Sequence, residues 1–181
     1  MQKVLYILGQ LNDADVEWLS EVGERRKYPR GSRLIEQGVP NDDLFIVMQG
    51  FVSVVVEGLG ELHVLGSGEI LGEMSLVDSR PPSATVMAQD DVYVLSLGFD
   101  TLRRQVESDL GFGMRFYRAL ATFLSQRLRN ERTPDFIEEI GLLPDQEQDG
   151  ELDADVLDNV QVAGARFDRL LKKMMSGSAD G

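Results

Sequence analysis

The chain of 181 residues contains no cysteine and a single histidine, His63. Disulfides, thiolate nucleophiles, cysteine-ligated zinc and iron–sulfur clusters are therefore excluded. A lone histidine in a strand-like segment is more typical of a packed or solvent-facing side chain than of a metal ligand. No serine or threonine can be paired with it from the sequence, and phosphate-loop and dinucleotide-binding motifs are lacking. We predict a protein that is not an enzyme and that holds no metal.

Long apolar segments and an excess of basic residues are also lacking. No apolar run approaches the roughly 20 residues that span a bilayer, and the run at residues 4–8 is too short for a secretory signal. With 18 basic and 31 acidic residues, the formal net charge of −13 repels a phosphate backbone. We therefore expect a cytoplasmic protein whose partners include neither nucleic acid nor a membrane.

The periodicity of apolar residues changes twice along the chain. Within residues 12–24, apolar residues recur at helical spacing and predict a helix. We predict that Asp13 caps this helix. From Lys27 to about Leu97, short apolar or alternating runs separated by glycines are typical of a small antiparallel barrel or jelly roll, with strands at residues 44–48, 52–56, 62–65 and 92–95. Helical spacing returns at residues 99–110 and 113–132.

Residues 68–86 read Gly-Glu-Ile-Leu-Gly-Glu-Met-Ser-Leu-Val-Asp-Ser-Arg-Pro-Pro-Ser-Ala-Thr-Val. This string resembles the phosphate-binding cassette of the cyclic nucleotide-binding domain family, and the glycine-framed segments 31–38 and 43–50 resemble the family's turns. The resemblance covers residues 11–132. It implies a mainly β fold with flanking helices: a cyclic nucleotide-binding β-roll or jelly roll, followed by C-terminal helices.

The resemblance also implies a ligand site. In the family, the glutamate that corresponds to Glu73 accepts the ribose 2'-hydroxyl, and the positions of Ser83 and Ala84 donate to the exocyclic phosphate oxygens. The candidate binding residues are Gly72, Glu73, Met74, Ser75, Arg80, Ser83, Ala84 and Thr85.

One position departs from the family pattern. Pro82 stands where the family carries the arginine that pairs with the phosphate. A hydrogen bond to a charged group contributes roughly 1.5 to 3 kcal/mol, so we expect affinity for cAMP or cGMP to be one to two decades lower, or more. Arg80 either turns inward to replace this charge or remains a surface arginine, and Pro81 and Pro82 stiffen the segment between. The sequence leaves both alternatives open.

The sequence after the domain at residues 1–133 divides into an acidic linker (134–152), an amphipathic helix (153–176) and a disordered tail (177–181). The apolar seam of the helix is formed by Val156, Val160, Ala163, Phe167, Leu170 and Met174. This seam binds a partner protein, a second copy or the barrel of its own chain. A helix-turn-helix with a basic face is lacking, so we reject a transcription factor.

These patterns together predict a stand-alone bacterial sensor or regulatory subunit that signals through its C-terminal helices. The resemblance implies that the helix at residues 113–132 forms a homodimer seam, although its apolar stripe would also serve to pack on the barrel. The alternative hypothesis is a degenerate fold that no longer binds nucleotide and acts as a protein–protein interaction or assembly module.

Overall fold

The computed structural model describes residues 8–130 and 154–176. The predicted linker and terminal tail lie outside the described residues. After a helical turn at residues 8–10, the helices are α1 (Asp13–Val22), α2 (Glu73–Asp78), α3 (Phe99–Ser108), α4 (Leu110–Asn130) and α5 (Ala154–Ser176). The strands are β1 (Glu24–Tyr28), β2 (Arg33–Ile35), β3 (Asp43–Gln49), β4 (Val52–Val56), β5 (Gly60–Leu65), β6 (Ile70–Leu71), β7 (Thr85–Ala88) and β8 (Val92–Gly98).

The eight strands form two four-stranded antiparallel sheets, one in the order β1-β8-β3-β6 and the other in the order β2-β7-β4-β5. The β3–β8 register pairs Phe45 with Ser96, and the β4–β7 register pairs Val54 with Val86. The predicted β-roll with flanking helices is confirmed. The four predicted strands are all present, and each is the same length as or longer than predicted.

Strands β3 and β8 are buried on both faces, which explains their continuous apolar sequences. Phe45 and Val47 of β3 point into the core between the sheets, whereas Leu44 and Ile46 point into a second core beneath the helices. Strand β8 alternates in the same way. The sheet that contains these strands therefore holds the barrel against the helices.

The predicted N-terminal helix is present, with different ends. Asn12, not Asp13, is the N-cap: its side chain accepts a hydrogen bond from the Asp15 backbone N–H at 2.8 Å, and the Asp15 carboxylate accepts one from the Asn12 N–H at 2.8 Å. This reciprocal capping box satisfies two N–H groups that the first turn leaves unpaired. The helix ends at Val22, and Glu24 already belongs to β1.

Helix α4 uses most of its apolar stripe inside the molecule. Phe116, Leu120 and Phe123 are buried in the core beneath the helices. The large apolar side chains that α4 exposes include Leu110, Met114 and Tyr117, which are 79%, 71% and 41% exposed. The predicted packing of the stripe on the rest of the domain is therefore present, and the homodimer seam stays a prediction.

Helix α5 packs on α1 of its own chain. Ala163, Phe167 and Leu170 are buried in the same core as α1 and α4. Arg166 donates hydrogen bonds to the backbone oxygens of Leu8 and Leu11 at 2.8 and 2.6 Å. The described part of the predicted seam is thus buried within the chain, in a core that it shares with α1.

Candidate functional site

The candidate site begins at Gly72, the residue that caps α2. Its φ of 85° lies in the left-handed region, and a Cβ at this position would meet the Asp43 carbonyl oxygen at 2.6 Å and the Asn41 side-chain nitrogen at 2.8 Å. Only glycine fits such a turn without strain. The turn ends β6 abruptly and places Glu73, the next residue, at the inner end of α2.

Glu73 forms an ion pair with Arg127, which lies 54 residues later on α4. The Arg127 Nη1 donates to Glu73 Oε1 at 2.8 Å, and Glu73 is only 2% exposed. A carboxylate this deeply buried requires a cation and hydrogen-bond donors to remain ionised. The pair therefore connects the predicted ligand-binding carboxylate to the long helix.

A cavity of about 70 Å³ lies beside this pair. Six of the eight predicted binding residues line it, namely Gly72, Glu73, Met74, Ser75, Ser83 and Ala84. The other lining residues are Ile35, Val54, Leu71, Pro82, Val86 and Arg127. The cassette read from the sequence therefore surrounds one space.

A larger cavity of about 480 Å³ adjoins the first and shares Val54, Met74, Ser83, Ala84 and Arg127 with it. The rest of its wall is mostly apolar and comes from β4, β5, α2 and α4, with Val56, Leu62, His63, Val77, Asp78 and Leu124. The two cavities together offer a polar end at Glu73 and a wide apolar end under α4.

Two predicted binding residues do not line either cavity. Thr85 instead accepts a hydrogen bond from the Gln37 backbone N–H at 3.0 Å, which ties β7 to the turn after β2. Arg80 lines a separate cavity of about 270 Å³ on the other side of α2, together with Arg103 of α3. The turn at Ser79, which has a φ of 58°, directs the chain there. The structure thus places Arg80 apart from Glu73.

Pro82, which stands at the position of the family arginine, lines the small cavity. Its carbonyl oxygen accepts a hydrogen bond from the Gly38 backbone N–H at 2.9 Å, and proline has no N–H to donate. This residue therefore closes the wall of the cavity without offering it a polar donor.

Arg127 is the site residue that the sequence reasoning missed. It lies four residues after Phe123 and three after Leu124, so it occupies the inward face of α4 that the apolar stripe defines. A basic residue within a buried stripe is a signal that a buried acid faces it. Its partner, however, is too distant in the chain to be identified from that signal alone.

The described residues form neither a metal-binding group nor a membrane-spanning helix. In that part of the chain, no group of three or more histidine, cysteine, aspartate or glutamate side chains is placed to hold a metal ion. None of the described helices is long and apolar enough to cross a membrane.

Residues 25–109 match the family model of the cyclic nucleotide-binding domain. The chain is 30% identical over 99 residues to the cAMP-dependent protein kinase regulatory subunit of Aspergillus fumigatus, a match that covers 54% of this chain and 24% of that protein. It is 30% identical over 122 residues to Glutaminase 2 of Bradyrhizobium diazoefficiens, covering 67% of this chain and 19% of that protein. The chain thus spans a quarter or less of the length of these relatives.

Solved structures agree with this match. The N-terminal domain of a transcriptional regulator from Streptomyces coelicolor A3(2) is 30% identical with a TM-score of 0.60, covering 75% of this chain and 97% of that one. A cyclic nucleotide-binding domain from Methylobacillus flagellatus is 24% identical with a TM-score of 0.63, covering 76% and 80%. The predicted resemblance is confirmed, and residues 25–109 of the chain belong to the cyclic nucleotide-binding domain family.

Proposed function

We propose that this chain is a non-enzymatic, cytoplasmic sensor or regulatory subunit. A ligand of the cyclic nucleotide class binds in the adjoining cavities beneath α2 and changes the position of α4. The observation that carries this proposal is the ion pair between Glu73 and Arg127, because a ligand hydroxyl that bonds to Glu73 lies next to the guanidinium that α4 places there. Two of the relatives it resembles are regulatory proteins by name, one a protein kinase regulatory subunit and one a transcriptional regulator.

The proposed coupling requires a ligand to bind two arrangements of α4 with different affinity. Arg127 and Leu124 of α4 both line the larger cavity, so a ligand there contacts the helix as well as the barrel. Helix α4 also buries Phe116 and Phe123 in the core that contains Phe167 of α5. A displacement of α4 therefore changes the packing of the C-terminal helix α5. We propose that this change in α5 is the output signal.

Hydrogen exchange tests the coupling. We expect millimolar cAMP or cGMP, added to a Pro82→Arg variant that restores the missing cation, to change amide protection in α2 and in α4 around Arg127. In the same variant carrying Arg127→Met, protection around α4 is expected to stay as in the unliganded chain. Binding that leaves the exchange of α4 unchanged in the Pro82→Arg variant would contradict the proposal.

The second candidate function is an assembly module that binds no nucleotide. Pro82 favours it, and so do the exposed side chains of Leu110, Met114 and Tyr117, which follow one another at steps of four and three along α4. We propose that this stripe pairs with the same stripe of a second copy. Dimerisation at the same strength with and without nucleotide would favour the assembly module, whereas a ligand-dependent change would favour the sensor.

A further inference from the structure

The one described cation that lines the two cavities is already paired with an acid. In the part of the chain that the structure describes, Arg127 is the only arginine or lysine that lines either cavity, and its guanidinium is bonded to Glu73. The larger cavity adds Asp78, and the chain as a whole carries a formal charge of −13. The described walls therefore supply no surplus positive charge for an anion.

A phosphate in this space would have to share Arg127 with Glu73. Because Glu73 is 2% exposed, any weakening of that bond leaves a carboxylate with less compensation in a place that water hardly reaches. The removal of one partner from a buried ion pair is strongly unfavourable, since the remaining charge is poorly solvated. Binding of an anion thus opposes the interaction that holds the site together.

Neither of the two residues nearest in sequence supplies the missing cation. Pro82 offers no donor, and its carbonyl is engaged by Gly38. Arg80 lines the separate cavity, and Ser75 of α2 lines both that cavity and the small one. Among the described lining residues, the Arg80 cavity shares only Ser75 with the small cavity.

What the site does offer suits an uncharged molecule. A carboxylate such as that of Glu73 is a charge-assisted acceptor for hydroxyl groups, and the Ser83 hydroxyl both donates and accepts. The adjoining 480 Å³ is walled by apolar side chains such as Val56, Leu62 and Leu124. Sites with an apolar body and a few polar groups at one end bind ligands of matching polarity.

We infer that the ligand of this site is a nucleoside, with hydroxyl groups at Glu73 and its base in the apolar cavity, rather than a cyclic nucleotide with its phosphate. This inference rests on the proposed function: it keeps the site and the coupling to α4, and it replaces the cyclic nucleotide by a nucleoside. It requires that the phosphate, which distinguishes the two ligands, lowers affinity instead of raising it.

Isothermal titration calorimetry of the full chain tests the inference, with adenosine and guanosine each compared with cAMP and cGMP at about 0.15 M salt. We expect one nucleoside to bind at least about tenfold more tightly than its own cyclic phosphate. Pro82→Arg is expected to reverse this order, because it supplies a guanidinium fork. The matched control, Pro82→Ala, removes the proline without adding charge and should keep the native order.

Further variants test the roles of Arg80 and of the Glu73 carboxylate. Glu73→Gln should weaken the binding of the nucleoside at least about tenfold, since a charged acceptor is replaced by a neutral one. Arg80→Ala should leave the affinities for the nucleoside and for the cyclic nucleotide unchanged, because Arg80 lines another cavity. Circular dichroism and thermal unfolding of each variant show whether it is folded. The reversed order of affinities in Pro82→Arg tests the inference even if Glu73→Gln, which changes a buried group, does not fold.

The outcomes distinguish this inference from the proposed function. If the native chain binds a cyclic nucleotide as tightly as the nucleoside or more tightly, the inference is overturned and the sensor remains. If the native chain binds no nucleoside but Pro82→Arg binds a cyclic nucleotide, the inference is likewise overturned. If neither ligand binds the native chain or Pro82→Arg, both proposals fail and the assembly module is favoured.

Discussion

Glu73 at the start of α2 and Arg127 near the end of α4 form an ion pair of 2.8 Å that joins the segment of the predicted binding residues to α4. The acid has 3% of its side chain exposed and the base has 23%. The pair is therefore buried on one side and partly hydrated on the other. Its two members come from segments that show no relation in the sequence.

Disruption of this pair is expected to cost stability. We predict that Arg127→Gln and Glu73→Gln each lower the free energy of unfolding by about 3 kcal/mol, at the lower end for buried pairs because Arg127 is partly exposed. The double variant should lose less than the sum, with a coupling of about 1–3 kcal/mol. Urea denaturation measures all three. Arg118→Gln, at an exposed position of α4, is the control, and strict additivity would contradict the prediction.

Stability should depend on pH through Asp15 and Arg115. Burial by itself raises the pKa of Asp15, but hydrogen bonds from Arg115 and from the Asn12 N–H, with the charge of Arg115, hold that pKa below its ordinary value. A carboxyl with a lowered pKa in the folded state stabilises the fold above its unfolded pKa of about 4, and this contribution is lost as the pH falls through the folded pKa.

We therefore predict that the free energy of unfolding of the native chain falls as the pH drops below about 4. The Asp15→Asn variant should be less stable at neutral pH, and its free energy of unfolding should fall less steeply. Denaturation at a series of pH values measures this. Asp91→Asn serves as the control, since its partner Lys27 is exposed and such pairs contribute little. If the free energy of unfolding of Asp15→Asn falls equally steeply, groups other than Asp15 determine the pH dependence and the prediction is wrong.

Helix α5 should loosen when Arg166 is replaced. The side chain donates to the Asp13 carboxylate and to the backbone oxygens of Leu8 and Leu11, and only a planar fork reaches all three. We predict that Arg166→Lys and Arg166→Ala speed hydrogen exchange in α5 and α1, with a loss of about 1–3 kcal/mol of unfolding free energy. Arg169→Ala, at an exposed position of the same helix, should leave exchange unchanged. Unaltered protection of α5 in Arg166→Ala would contradict the prediction.

The proposed dimer seam makes a separate prediction. A glutamate at position 114 would place a charge in the middle of the exposed stripe, so Met114→Glu should convert a dimer into a monomer in sedimentation velocity. Leu59→Glu is the matched control, since Leu59 is 73% exposed and lies in the β4–β5 turn, away from α4. A native chain that sediments as a monomer at high concentration would remove the seam from the proposal.

Local patterns in the sequence were sufficient for much of this architecture. The runs around Leu44 and Val92 became β3 and β8, because alternation and β-branched residues act over a few positions. The cassette surrounds one cavity because Gly72 imposes its turn locally. The cap of α1 was predicted one residue too late, since Asn12 and Asp13 are both good caps and only the bond to the Asp15 N–H distinguishes them.

The tertiary structure decided what depends on distant segments. Arg80 lies near Pro82 in the chain, but the turn at Ser79 leads it to the other side of α2, so closeness in sequence did not mean closeness to Glu73. Arg127 reached Glu73 across 54 positions. Periodicity and motifs report the backbone conformation and the buried face of each element, because those depend on neighbours within a turn or a strand. Which buried groups meet is decided only when the elements pack and each buried charge must find its partner.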